Sequence, residues 1–370
     1  MVDDRPVVVA AGGTGGHLFP AEALSNALAA RGVAVELVTD ARATKYGAAF
    51  PARAIHQIAA ATPRGGSLQA RIGAVLTLAR GTLEARRLFK KIRPRAFVGF
   101  GGYPTVSPAL AASWLRVPTI LHEGNAVIGK ANHFLADRVD AIAKGFDALG
   151  GVSAKIGAKT HRTGNPVRPM VIEAAKIAFP DFADGKLRLL VTGGSQGARI
   201  MSDVVPAAVA LMPEEERRRL VIVQQARPED IARVEETYLR LGLEAEVAAF
   251  FADLPMRIAK AHLVVARAGA STVSELAVIG RPAILVPLPH ALDQDQAANA
   301  AQFAATGAAI VVDQSAFSPQ WLATSLLEAQ ADLPDLARRA AAAKQVGVAD
   351  AAERLADLVL SLASRSKDKP

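Results

Sequence analysis

Two glycine-rich segments each follow a short apolar run. Val7–Ala11 leads into Gly12, Gly13, Thr14, Gly15 and Gly16, and Leu189–Thr192 leads into Gly193, Gly194, Ser195, Gln196 and Gly197. Glycines let backbone N–H groups approach an anion closely, at the start of a helix whose dipole favours negative charge. Neither loop has the dinucleotide fingerprint or the lysine of a phosphate-cradling P-loop. A tight strand-to-helix turn without a ligand is the alternative for one such loop, and a second loop at an equivalent place weakens it. His17 follows the first loop directly, where it can accept a proton near neutral pH, donate to a phosphate, or simply pack at the helix start.

Further polar groups fall on the same rim. Gly101, Gly102 and Tyr103 follow the apolar run Ala96–Phe100, and His122, Glu123, Gly124 and Asn125 follow Thr119–Leu121. His122 and Glu123 are not a metal pair, because adjacent strand residues point apart and no third ligand has suitable spacing. Hydrogen bonding to a sugar or an amide suits them better, with a satisfied buried histidine as the alternative for His122. In the second half Arg267 precedes Gly269, Ala270, Ser271, Thr272, Val273, Ser274 and Glu275, again after an apolar run and at a helix start. Small residues there expose backbone donors to a phosphate, and Glu275 can accept two hydrogen bonds from a ribose diol; a capped helix start is the plainer reading. Pro287–His290 and the run Asp293, Gln294, Asp295, Gln296 ahead of Asn299 supply the carboxamides and carboxylates that hydroxyl-rich ligands require. A solvated helix start has the same look.

Short β-branched runs alternating with longer Ala/Leu-rich segments must position these groups. Val7–Ala11, Val33–Thr39, Ala96–Phe100, Thr119–His122 and Ala141–Ala143 read as buried parallel strands. Leu187–Thr192, Leu220–Gln224, Glu246–Phe250, Leu263–Ala266, Ala283–Pro287 and Ala309–Val312 repeat the theme. The expected fold class is α/β, with two Rossmann-like domains facing across a cleft. A chain of 370 residues exceeds the size at which one core stops growing. The expected domains are 1–164 and 165–347, joined near Gly164–Pro169, with an amphipathic helix over 348–364 completing the first domain. Ligands of open parallel sheets sit at the carboxyl ends of the strands.

Hydrophobic residues make up 51% of the chain and charged residues 21%, which suits a folded protein rather than a disordered one. The chain has no cysteine, which excludes disulfides, thiolate metal sites and a cysteine nucleophile. No secretion signal is read at the amino terminus, and the longest uncharged run, Val98–Leu115, is too interrupted by glycine and proline to span a membrane. A soluble or peripheral cytoplasmic protein is expected. The net charge of +8 points to an anionic partner, whether nucleic acid, acidic lipid or a phosphorylated substrate. Residues 71–80 and 86–91 combine apolar and basic side chains, as an interfacial helix on anionic lipid requires; a helix with a solvated basic face has the same composition.

Six segments in order, GGTGGHLFPAEALS (12–25), FGGYPTVSPALAA (100–112), HEGNAVIGKAN (122–132), TGNPVR (163–168), GGSQGAR (193–199) and ARAGASTVSEL (266–276), carry a resemblance that spans essentially the whole chain. The chain resembles the MurG family of UDP-N-acetylglucosamine–N-acetylmuramyl-(pentapeptide) pyrophosphoryl-undecaprenol N-acetylglucosamine transferases. The resemblance implies a GT-B fold and an inverting transfer from UDP-N-acetylglucosamine to the C4 hydroxyl of a lipid-linked muramyl-pentapeptide. It implies work in peptidoglycan synthesis, and hence in cell shape and division, as a peripheral protein on the cytoplasmic face of the bacterial inner membrane.

By the same resemblance Phe251 lies beside the uracil, Glu275 holds the ribose, Ser195 and Arg168 serve the diphosphate with backbone help from Ala270, Ser271, Thr272 and Val273, and Arg267 and Ser274 belong to the same substrate-binding set. Gln296 and Asn125 contact the sugar, and Thr14, Gly15 and Gly16 close over the reacting region from the first domain. Gly12, Gly13, Gly101, Gly102 and Tyr103 receive the acceptor pyrophosphate. His17 is the first candidate for the base and Glu123 the second. No metal site is expected and no cofactor is required, although Mg2+ could assist the diphosphate; other cell-wall synthesis proteins are implied partners. Three positions depart from the family pattern: Gly124 where Gln is usual, Asp295 where His or Gln is usual, and Ala268 where Ser is common. A sugar-nucleotide epimerase on the same scaffold is the nearest rival. A nucleic-acid-binding module would explain the charge but lacks a recognised motif or aromatics interleaved with the basic patches.

Overall fold

All strands of the computed structural model, which describes residues 4–12, 15–40, 50–60, 68–289 and 294–365, pair in parallel with their neighbours. The first half runs β1 (Val7–Ala10), α1 (Gly15–Ala30), β2 (Val35–Thr39), β3 (Ala54–Gln57), α2 (Leu68–Ile92), β4 (Ala96–Gly99), α3 (Tyr103–Trp114), β5 (Thr119–Glu123), α4 (Lys130–Leu135), β6 (Ala141–Lys144), α5 (Ala154–Gly157) and β7 (Thr160–Arg162). Its sheet has the order β3-β2-β1-β4-β5-β6-β7. A sheet covered on both faces needs apolar residues at successive positions, and β1 supplies them. Val7 and Val9 pack with Leu24 and Leu28 of α1, whereas Val8 and Ala10 face the layer that holds Phe89 and Ala111, from α2 and α3.

The second half continues with α6 (Pro169–Ala174), β8 (Leu187–Thr192), α7 (Arg199–Leu211), α8 (Glu214–Arg217), β9 (Leu220–Gln225), α9 (Ile231–Arg240), β10 (Ala245–Ala248), α10 (Leu254–Lys260), β11 (Leu263–Ala266), α11 (Ala270–Ile279), β12 (Ala283–Leu285), α12 (Asp295–Ala304), β13 (Ala309–Val311), α13 (Pro319–Ala331) and α14 (Leu333–Val346). Its sheet order is β10-β9-β8-β11-β12-β13. Its main core joins Leu189 and Val191 to Ile222, Val265 and the α7 residues Met201, Val205 and Val209.

The last helix, α15 (Ala351–Arg365), returns to the first sheet, where Leu355 and Val359 join the layer of Val7 and Leu24. The chain thus forms two compact units, residues 1–168 with the segment from 349 onward, and Pro169–Val348. Asn165–Arg168 pack with the first unit. All the strand runs read from the sequence form; β3 and β7, the two edges of the first sheet, were not among them.

Candidate functional site

Strand order reverses between β1 and β4 in the first sheet and between β8 and β11 in the second. The loops leaving such a pair of strands part in opposite directions and leave a crevice at their carboxyl ends, where ligands of doubly wound sheets bind. Both glycine loops of the sequence lie at these two places.

In the first unit, the loop after β1 approaches α3 so closely that a Cβ on Gly12 would lie 2.9 Å from Pro104 Cγ. Gly13 and Thr14 lie outside the described residues. Gly15 opens α1 and His17 follows two residues later, half-buried. After β4, Gly101 and Gly102 have φ of 84° and 73°, a region costly for other residues. The same two glycines make room for the imidazole: His17 Cε1 lies 3.4 Å from the place of a Gly101 Cβ, and Nε2 3.5 Å from that of Gly102. Tyr103 starts α3, and Thr105 Oγ1 donates to Gly101 O at 2.7 Å.

At the end of β5, His122 is buried beside Phe100, with ring centroids 5.1 Å apart, and its Nε2 lies 3.4 Å from Gly164 O. Burial, reinforced by the charge of His17 and opposed by that hydrogen bond, pushes its pKa down to about 4. Glu123 is also buried, and loop donors engage both its oxygens. Oε1 accepts from Asn125 N (3.1 Å) and Nδ2 (3.3 Å), and Oε2 from Gly129 N (2.9 Å) and Asn132 Nδ2 (2.8 Å). Burial raises its pKa, against the pull of these donors. The carboxylate and the amide of Asn125 therefore shape the 123–132 loop. Arg168 lies over the ring of Phe19 in α1, its guanidinium carbon 4.1 Å from the centroid, where its charge also acts on the half-buried Glu22.

In the second unit, the loop after β8 is held by a residue that belongs to none of the sequence motifs. Gln225, buried at the end of β9, accepts from Thr192 Oγ1 (2.9 Å) and Gly193 N (3.0 Å) through Oε1. Its Nε2 donates to Gly194 O (3.0 Å) and Ala249 O (3.1 Å). Gly193 cannot carry a side chain, since its Cβ would lie 2.1 Å from Ala198 N, and Gly194 and Gly197 have φ of 80° and 66°. Ser195 is left exposed at the tip. Arg227 packs on this loop, its Cγ 3.1 Å from the place of a Gly197 Cβ, and its charge lowers the pKa of Arg267 after burial has done most of that work. The signal for Gln225 and Arg227 was their place just at and after a buried strand end, on the same rim as the glycine loop.

The loop after β11 opens α11 at Gly269. The first-turn N–H groups of Ala270, Ser271 and Thr272 have no partner inside the helix, and the buried Ser271 Oγ has no hydrogen-bond partner either. Val273, Ser274 and Glu275 follow on the next turn, Glu275 buried. Arg267 does not point its guanidinium outward: Nη1 donates to Val286 O and Pro287 O, both at 3.1 Å, and Nη2 to Gln314 Oε1 at 2.6 Å. It braces the loop rather than presenting a free cation. Asn299 Nδ2 similarly holds Ala268 O at 3.1 Å. Gln296, near the start of α12, accepts from Leu288 N at 3.0 Å, while Asp295 Oδ1 accepts from Gln296 N at 2.9 Å. His290 and Asp293 lie outside the described residues. Phe251 is buried under the Arg257 guanidinium, 4.2 Å from its centroid, whereas its neighbour Phe250 is 64% exposed.

Among the described residues no group of three or more His, Asp or Glu side chains is arranged to hold a metal ion, and no helix is long and apolar enough to cross a membrane. What the two sites offer is a crevice with a histidine in one unit, and in the other a braced glycine loop beside a helix start with unpartnered donors.

Comparison with known proteins agrees with this two-sheet fold. Residues 7–144 match the glycosyltransferase family 28 N-terminal domain and residues 188–355 its C-terminal domain. A UDP-N-acetylglucosamine–N-acetylmuramyl-(pentapeptide) pyrophosphoryl-undecaprenol N-acetylglucosamine transferase of Methylorubrum populi is 57% identical, over 97% of each chain. The enzyme of the same name from Brucella melitensis is 55% identical over 98% of this chain and 96% of its own. Among solved structures, Acinetobacter baumannii MurG superposes with a TM-score of 0.77 at 28% identity, covering 96% of this chain and 99% of that one. A UDP-GlcNAc 2-epimerase from Neisseria meningitidis shares the fold, with a TM-score of 0.67 at 13% identity over 96% of this chain and 99% of that one. The chain belongs to glycosyltransferase family 28 and, within it, to the MurG family of N-acetylglucosamine transferases.

Proposed function

We propose that this protein transfers N-acetylglucosamine from UDP-N-acetylglucosamine to the C4 hydroxyl of undecaprenyl-pyrophosphoryl-MurNAc-pentapeptide, with inversion at the anomeric carbon. The observation that carries this reading is full-length similarity to transferases of that name, at 55–57% identity. Two switch-point crevices, each with a glycine loop, fit a reaction that handles diphosphates on both substrates.

The second unit holds the donor. Ser195, the Gly193–Gly197 backbone, and the first turn of α11 with Ser271 Oγ take the diphosphate; Glu275 takes the ribose diol and Gln296 the sugar. The reaction forms a bond from the acceptor O4 to the anomeric carbon and breaks the bond from that carbon to the β-phosphate oxygen. UDP leaves with the electron pair, and the O4 proton passes to a base. His17 fills that role, because its imidazole stands at the mouth of the first crevice. Asn125 faces the sugar and Glu123 positions it. Donors aimed at the departing diphosphate lower the barrier as charge develops there.

The lipid acceptor places the reaction at the cytoplasmic face of the inner membrane. Helix α2 suits this, with Ile72, Val75, Leu76 and Leu83 each at least half exposed and Lys90 and Lys91 in its last turn; Trp114 of α3 is 60% exposed. Apolar side chains among cations are what an anionic bilayer surface holds.

The test is UDP release from UDP-N-acetylglucosamine with and without the lipid-linked muramyl-pentapeptide, run with Mg2+ and with a chelator. Acceptor-dependent release with formation of a disaccharide-lipid is expected. Turnover that ignores the acceptor would point to an epimerase or hydrolase instead.

A further inference from the structure

At the amino-terminal ends of β1, β4 and β5, the opposite end of the strands from His17, lies a cavity of about 420 Å³, within the size range of small-molecule sites. Five cations line it: Arg5, ahead of β1; Lys90, Arg93 and Arg95, around the end of α2; and Arg116, between α3 and β5. No carboxylate lines it, and among the described residues Lys90, Arg93, Arg95 and Arg116 form no ion pair. Like charges brought together from three segments of chain repel, and an anion seated among them relieves the part of that repulsion that water and salt do not screen around the exposed Arg5, Lys90, Arg93 and Arg116. The Nε of Arg95 is moreover buried without a hydrogen-bond partner.

The backbone tells the same story. Only Arg93, Arg116 and Gln294 among the described non-glycine residues have positive φ, and the first two, at 49° and 55°, both line this cavity. Glycine adopts that conformation without penalty, whereas arginine does not. Both turns thus carry a guanidinium where the backbone favours no side chain. Phe89 and Leu115 give the cavity an apolar wall. It opens beside the start of β4, whereas Gly101 and Gly102 follow its end; six residues of extended chain put the two about 20 Å apart.

We propose that this cavity is a second anion site, separate from the sugar-nucleotide site, that binds a phosphate-bearing ligand through the Arg93 and Arg116 guanidinium groups. Planar guanidinium groups match phosphate oxygens in pairs, and the apolar wall accommodates the group that carries the phosphate. The proposal does not depend on the transferase reading.

The test is calorimetric titration of the full-length protein with inorganic pyrophosphate and with glycerol 3-phosphate, in saturating UDP so that the nucleotide site is occupied. Arg93→Gly/Arg116→Gly is compared with Arg86→Gln/Arg87→Gln, which removes the same charge from exposed positions of α2. The first pair should lose at least tenfold in phosphate affinity while its melting temperature holds or rises, because both turns suit glycine. The second pair should keep wild-type affinity. Flotation with phosphatidylglycerol vesicles separates the sources of the phosphate. A loss of vesicle binding specific to the glycine pair assigns a lipid headgroup, and unchanged vesicle binding with lost phosphate affinity assigns a soluble ligand. The proposal is overturned if the glycine pair matches wild type in both assays, or if the two pairs lose binding equally, as a diffuse field would have it.

Discussion

Asn132 Nδ2 lies 2.8 Å from Glu123 Oε2 and 3.2 Å from His122 O, so one amide ties the end of β5 to the helix that follows it. With the three other donors on Glu123, this bond fixes the loop that carries Asn125. Glu123→Gln places an NH2 group against backbone N–H donors and should cost about 2–3 kcal/mol of stability. Its kinetic signature is a rise in KM for the sugar donor together with a fall in kcat, and an unchanged acidic limb of the pH–rate profile. Loss of that limb in the variant would make Glu123 the base itself.

His17 stands where Gly101 and Gly102 leave space for its ring. His17→Ala should lower kcat by about 10²–10⁴-fold, the usual contribution of a general base, and leave UDP affinity within twofold of wild type. Near-normal turnover would remove the assignment. Gly101→Ala tests the same geometry from the other side. Its methyl would meet the imidazole at 3.4 Å on a backbone at φ 84°, so both stability and kcat should fall.

Gln225 uses its whole amide to hold the loop after β8. In Gln225→Glu the carboxylate can no longer donate to Gly194 O and Ala249 O, and Gln225→Leu removes all four bonds. Either change should weaken UDP binding by roughly tenfold or more, equivalent to about 1.4 kcal/mol, with the fold retained by the surrounding apolar core. Titration calorimetry with UDP measures this directly. Unchanged affinity would mean that the loop keeps its shape without the brace.

The strands that carry both sites were legible because a fully covered parallel strand must be apolar at every position, as Val7–Ala10 and Leu263–Ala266 are. The edge strands were not. β3 alternates half-covered and exposed residues and includes His56, whose Nε2 lies 2.8 Å from Oε2 of the buried Glu36 of β2, the carboxylate that Arg53 also pairs. β7 is three residues long. Motif residues could be placed on the right rim from their distance past each strand, yet which way they point is a tertiary matter. Arg267 and Glu123 both looked like free charged groups in the sequence, and both are turned inward to brace their own loops. Gln225 carried no motif, since one strand-end amide is like any other until the loop beside it is seen.

Two histidines tie stability to pH. His122 titrates near 4 in the folded chain because it is buried, with the His17 charge adding to the effect, and takes up its proton near 6.5 once unfolded. His262 shifts the same way, chiefly through burial; its Nδ1 accepts from Arg188 N at 3.0 Å and so must stay unprotonated for that bond to persist. A group whose folded pKa is depressed binds more protons when unfolded over the interval between the two values. Stability is therefore full above about pH 6.5 and falls as the pH drops towards 4, by up to about 3 kcal/mol from His122 alone at 1.36 kcal/mol per pKa unit. Urea unfolding at a series of pH values should show that slope, and His122→Asn should flatten it. Parallel slopes for the variant and wild type would exclude His122 as the source.

Among the described residues Arg281 is the largest fully buried side chain, and its hydrogen bonds include no carboxylate partner. Its guanidinium donates instead to the carbonyls of Ala259, Ile279, Gly280, Ile177 and Ala178, and lies 5.5 Å from the centroid of Phe179. One side chain thereby closes the carboxyl ends of α10 and α11 and pins the segment leading to β8. Burial lowers its pKa to about 10, which still leaves it charged at neutral pH. Arg281→Met fills much of the volume but strands these carbonyls in the interior, at a cost of about 3–5 kcal/mol. Arg281→Lys should recover little of that, since an ammonium has three donors on a single atom and cannot span acceptors on separate segments. The urea midpoint of both variants checks this, and a lysine variant as stable as wild type would show that the charge matters there and the planar fork does not.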